Sequence, residues 1–83
     1  MLTAEQIKHC IAKGLDCAHV EVNGDDGHHF YASVVSEKFA EKRLIDRHRL
    51  IKEVLKAHLL NNEIHALSIV KALTVDEWRK EST

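Results

Sequence analysis

The stretch Cys17-Ala18-His19-Val20-Glu21-Val22, followed after a polar break by Phe30-Tyr31-Ala32-Ser33-Val34-Val35, decides the fold. Ala18, Val20 and Val22 alternate with Cys17, His19 and Glu21, the period-two pattern of a strand with one buried face. The second run is rich in aromatic and β-branched residues, which suit a pleated surface. Between them, Gly24-Asp25-Asp26-Gly27 supplies turn residues, so the two runs read as a β-hairpin.

Outward from the hairpin, the apolar period lengthens. Upstream, Thr3-Ala4-Glu5-Gln6 matches a capping box, and Ile7, Cys10 and Ile11 fall on one face of the helix it opens, with Gly14 as its expected end. Downstream, from about Lys42 to Leu59, Leu44, Ile51, Val54, Leu55 and Leu59 share one sector of a helical wheel. Asn61-Asn62 break this long helix, Glu63 to Val70 reads as a third strand, and Thr74-x-x-Glu77 opens a short last helix with a second capping box. The order α-β-β-α-β-α predicts an α/β (α+β) protein, with a three-stranded sheet covered by helices on one face, because so small a sheet needs an apolar cover. At 83 residues the chain is expected to form one domain over 1–83.

Composition narrows the function. Twelve Lys and Arg against 13 Asp and Glu leave a formal charge of −1, so no polybasic character steers the whole chain to nucleic acid or anionic lipid. Met1-Leu2-Thr3-Ala4-Glu5-Gln6 carries no basic region followed by an apolar run, and nowhere do about 18 apolar residues run together, so neither an export signal nor a membrane span is expected. Cys10 and Cys17 are too few for a secreted disulfide framework and lack redox or zinc spacing, which favours a reducing cytoplasm. Both read as small hydrophobes. No nucleophile elbow, P-loop or dinucleotide fingerprint is present, and the chain is not expected to be an enzyme. The Gly24-Asp25-Asp26-Gly27 run mimics the GxxG of RNA-binding KH domains, but it joins two strands and carries two acids that repel phosphate.

Seven histidines are the compositional anomaly. Three of them are candidate metal ligands: His65 at the expected start of the third strand, and His28 and His29 where the hairpin loop presents them. Two or three imidazoles without a thiolate at metal spacing make zinc binding by the chain alone a poor fit, whereas a site shared with another molecule fits better. One iron of a [2Fe–2S] cluster accepts two imidazoles in Rieske centres. A separate candidate is the basic stretch Lys42–Lys52: Arg43, Arg49, Lys52 and Lys56 are possible phosphate contacts of a DNA-binding regulator, the alternative function, although Asp46 and Glu53 interrupt them. Trp78 is expected to cover the end of a thin core.

Arg47-His48-Arg49-Leu50-Ile51, Ile64-His65-Ala66-Leu67-Ser68-Ile69 and Leu73-Thr74-Val75-Asp76-Glu77-Trp78 occur in an order and spacing that resembles the BolA-type proteins over nearly the whole chain. The short Gly27-His28-His29-Phe30 hairpin is similar to the compact-loop branch. The resemblance implies a fold like class II KH, and a monothiol glutaredoxin as partner with which a glutathione-ligated [2Fe–2S] cluster is shared; some family members are transcription regulators. It also implies that His65 is a cluster ligand and that the second ligand comes from the loop, as His29 or His28; some members have Cys where this chain has Asp26. Alternation sends His28 and His29 to opposite faces, so only one lies on the side of His65. His29 is the favoured one, because packing of the adjacent Phe30 fixes its direction. Alone, the chain is expected to be a monomer.

Overall fold

The computed structural model describes residues 2–24 and 28–81. Its elements are α1 (Ala4–Leu15), β1 (His19–Asn23), β2 (His29–Val35), a 3-10 turn (Glu37–Phe39), α2 (Leu44–Val54), α3 (Lys56–Leu60), β3 (Ala66–Leu73) and α4 (Val75–Glu81). The sheet order is β1-β2-β3, with β1 antiparallel and β3 parallel to β2. The mixed α+β architecture follows the expected order, and the helical crossover from β2 to β3 is what makes that pair parallel. Of the Gly24–Gly27 turn, Asp25, Asp26 and Gly27 lie outside the described residues.

One core joins the sheet to α1 and α2. Ile7, Ile11 and Leu15 of α1 and Ile51 with Leu55 meet Val20, Phe30, Ala32, Val34 and Ala72 from the three strands, and all are buried. The capping box at α1 is formed, with Gln6 N–H donating to the Thr3 hydroxyl and Thr3 N–H to the Gln6 side chain. Ser36, buried between β2 and the 3-10 turn, donates its hydroxyl to the Leu15 carbonyl at 2.8 Å and its N–H to the Leu73 carbonyl at 3.0 Å. One polar residue thus joins the ends of α1, β2 and β3 without an unmet hydrogen bond.

Several boundaries differ from expectation, each for a local reason. Gly14 does not end α1, which runs to Leu15 and closes on Asp16 in the left-handed region (φ 50°). A Cβ at Gly14 would lie 2.5 Å from Val54 Cγ1, so the glycine is there for the close approach of α2. The long helix is two segments. Arg43 is the extended N-cap of α2, and Leu55 leaves helical dihedrals (φ −99°, ψ 8°) between α2 and α3 while keeping the Leu55 N–H to Ile51 and Leu59 N–H to Leu55 carbonyl bonds. Leu44 is 61% exposed rather than in the apolar sector. β1 starts at His19, and Ala18 is exposed.

The third strand is displaced by three residues, from the expected Glu63–Val70 to Ala66–Leu73. Asn62 turns the chain with φ 61°, and the N–H groups of Glu63 and Ile64 both donate to the His58 carbonyl, which holds them to α3. Pairing begins only where Ala66 N–H reaches the His28 carbonyl at 3.1 Å. Farther on, Ile69 pairs with Ala32 and Lys71 with Ser33, leaving Val70 as a bulge. The extra residue reverses the alternation, so Ala72 rather than Lys71 enters the core.

α1 and α2 supply the expected cover of one face, and α4 adds a contact on the other. His19, Val35 and Leu73 form one cross-strand row. His19 neighbours the core residue Val20, so alternation turns it to the opposite face. The Trp78 ring stacks on His19 at 4.9 Å between centroids. Val35, 2% exposed yet outside the main core cluster, is buried on this second face.

Candidate functional site

Parallel strands begin at the same end of a sheet, so the residues preceding β2 and β3 emerge side by side. His29 is the Cα partner of Ala66, and one step back stand His28 and His65. Their rings lie 5.2 Å apart between centroids, edge to face at 72°. Both residues are exposed. The backbone bond from Ala66 N–H to the His28 carbonyl fixes the two chain segments beneath them.

The structure places His28 rather than the favoured His29 beside His65. Phe30 is buried, so His29 falls on the opposite face, in the row of Ala66 and away from the side shared by His28 and His65. Alternation lets only one loop histidine share the side of His65, and the parallel register of β2 with β3 puts His28 there. Gly24 helps to set this end of the hairpin: a Cβ there would lie 2.8 Å from the His29 carbonyl oxygen and 2.6 Å from Phe30 Cδ1, so only glycine lets β1 pass so close. Among the described residues no group of three His, Cys, Asp or Glu side chains is arranged to hold a metal. Two nitrogen donors are therefore what the described residues offer, and Asp26, the other loop position considered, lies outside them.

The basic candidates separate into two groups. Arg43 and Arg49 both face Asp46, at 3.2 and 3.6 Å. Arg49 also joins Lys52 and Lys56 along a groove of about 420 Å³ whose other lining residues are Glu53, Leu59 and Leu60. Leu60 is 73% exposed there.

Two arrangements escaped the sequence reading. Arg47 is an anchor and not part of the basic surface: its side chain is 12% exposed. Its guanidinium donates to the Lys42 carbonyl at 3.0 Å, to the Ala72 carbonyl at 2.9 Å and to both Glu77 oxygens at 2.6 and 3.3 Å. Glu77 also completes the second capping box by accepting from Thr74 N–H at 2.9 Å. The Arg47 guanidinium first, then the Thr74 N–H, hold the Glu77 carboxyl down at about 2. No local pattern marks this tie, which joins residues 30 positions apart. The second arrangement is Cys10 beside His58, 48 positions apart, for which no local pattern existed.

Comparison with known proteins agrees with this architecture. A family model described as BolA-like protein matches residues 8–77. The chain is 41% identical over 85 residues to Protein BOLA2 of Arabidopsis thaliana, covering 99% of this chain and 89% of that protein. It is 48% identical over 52 residues to the DNA-binding transcriptional regulator BolA of Vibrio cholerae, covering 63% of this chain and 47% of that protein. The crystal structure of a bol-like protein from Babesia bovis superposes with a TM-score of 0.85 at 28% identity, covering 100% of this chain and 96% of the other. With the family model spanning most of the sheet and helices, and the fold shared at that similarity, the chain belongs to the BolA-like family.

Proposed function

We propose that this protein is a non-catalytic partner of a monothiol glutaredoxin, sharing with it a glutathione-ligated [2Fe–2S] cluster in iron–sulfur trafficking or iron sensing. The observation that carries the reading is the His28–His65 pair. An imidazole bound to a metal through one nitrogen has its ring centre about 3 Å from the ion, so two on a near-tetrahedral ion have centroids about 5 Å apart. The observed 5.2 Å fits that spacing without moving either strand. His28 and His65 would hold one iron through neutral nitrogens, and thiolates of the partner and of glutathione the other. Nitrogen ligation of this kind raises the potential of a cluster relative to an all-thiolate set. The exposure of both rings suits a site completed by a second molecule.

The test is assembly of the complex from this chain, a monothiol glutaredoxin, glutathione, iron and sulfide, followed by visible absorption and circular dichroism. His28→Ala and His65→Ala are each expected to abolish or reshape the visible dichroism and to shorten cluster lifetime, whereas His29→Ala leaves both unchanged. A spectrum indifferent to His65→Ala and His28→Ala would sink the assignment.

A second reading, a DNA-binding regulator, draws on the name of the Vibrio cholerae relative and on Arg49, Lys52 and Lys56 along one groove. Asp46 faces the charges of both Arg43 and Arg49, and Arg43 lies outside the lining of that groove. Three phosphate contacts would give a slope of log K against log[salt] of about −2.7. A flat response would reject this role.

A further inference from the structure

Away from the histidine pair, the fold joins three residues that are distant in sequence. Cys10 lies on α1, His58 on α3 and Glu63 in the turn beyond it. Cys10 Sγ is 3.9 Å from His58 Nε2, and His58 Nδ1 is 2.9 Å from a Glu63 carboxylate oxygen. An ionised carboxylate only accepts, so Nδ1 carries the ring proton and donates it. In the neutral ring, Nε2 is then the lone-pair acceptor, and it is turned toward the thiol. A nucleophile, a base and an acid that orients the base are the relation by which proteins activate sulfur. Because Cys10 and Glu63 approach opposite nitrogens of one ring, the three do not converge on a common point as metal ligands would.

The thiol is half-buried but not sealed. With Leu2, Glu5, Gln6, His9 and His58 it lines an open groove of about 440 Å³, a size suited to a small molecule. Cys17 provides the contrast within the same chain. Its Sγ donates to the Ile11 carbonyl at 3.7 Å, and burial, with Asp16 adding to it, pushes its thiol up to about 11.

We propose that Cys10 is a thiol-modification site at which a small disulfide forms a mixed disulfide, with His58 as the proton acceptor. The Cys10 thiol passes its proton to His58 Nε2, and the sulfur attacks one sulfur of the incoming disulfide. A new S–S bond forms to Cys10 as the old one breaks, and the departing thiolate takes the proton back from His58. Cys10 is oxidised, one half of the small disulfide is reduced, and the histidine is restored.

The experiment incubates the folded protein with hydroxyethyl disulfide at neutral pH and follows Cys10 and Cys17 separately by mass spectrometry of their peptides. A thiol pushed up to about 11 from an ordinary 9.0 has about 100-fold less thiolate, partly offset by greater nucleophilicity, so Cys17 should be about tenfold slower than an ordinary thiol. Proton acceptance by His58 adds about tenfold at Cys10, so Cys10 is expected to react about 100-fold faster than Cys17. His58→Gln should lower the Cys10 rate about tenfold and leave Cys17 unchanged. Glu63→Gln, which keeps the imidazole and removes its orienting carboxylate, should lower it about threefold, and this variant carries the test if His58→Gln does not fold. Denaturation should bring the two cysteines to the same rate. Cys10 reacting within threefold of Cys17 in the folded protein, or a Cys10 rate indifferent to the His58 and Glu63 substitutions, overturns the proposal.

Discussion

Replacing Gly14 by Ala sets two opposing effects against each other. Ala favours a helix over Gly by up to about 1 kcal/mol, and Gly14 lies inside α1, so propensity alone predicts stabilisation. The new Cβ, however, would lie 2.5 and 2.9 Å from the two methyl carbons of Val54, against an ordinary carbon–carbon contact of about 3.5–4.0 Å. Val54 is short and branched at Cβ, so rotation cannot remove both methyls, and α1 and α2 must separate by about 1 Å. Forcing a methyl into such a contact costs about 1–3 kcal/mol, so the clash wins and the net change is a loss of about 1 kcal/mol. In a domain of this size that lowers Tm by about 4–8 °C. Thermal and urea unfolding of Gly14→Ala, Val54→Ala and the double variant complete the cycle. Val54→Ala removes both obstructing methyls, so Gly14→Ala should become neutral or stabilising in that background, with a coupling of about 1–3 kcal/mol. If Gly14→Ala stabilises by about 1 kcal/mol in both backgrounds, the close-approach reasoning is refuted.

Two further outcomes follow from the tie between α2 and α4. Arg47→Ala should lose about 1–3 kcal/mol, since it removes the donor to the part-buried Ala72 carbonyl as well as the Glu77 pair, and Arg47→Lys should recover little because an ammonium cannot make the forked contact; urea midpoints measure both. Glu77 is held at about 2 in the folded protein against an ordinary 4.5, so its contribution is present above pH 4.5 and is lost as pH falls through the folded value. Because the Glu77 side chain is 45% exposed, solvent screening makes this contribution small, and Glu77→Gln should flatten the acid limb of a Tm-against-pH curve only slightly.

The local sequence determined the parts of this protein that depend on near neighbours. Both capping boxes form where Thr3–Gln6 and Thr74–Glu77 predicted them, because a cap is a bargain between residues three apart. The alternation around Val20 and the aromatic and β-branched run Phe30–Val35 likewise specified the two hairpin strands, although Ala18 falls outside β1 and is exposed. His65 was legible as a candidate ligand from its motif. Which loop histidine stands beside it was not, because the answer lies in the parallel register of β2 with β3, and that register is set by pairing across more than 30 residues of intervening chain. The same limit hid the role of Gly14, whose reason is a methyl on another helix, and the role of Arg47 as an anchor to Ala72 and Glu77. Cys10 and His58 show it most plainly: neither residue has a distinctive local pattern, and only the packing of α1 against the helical region after the hairpin brings a thiol to an imidazole.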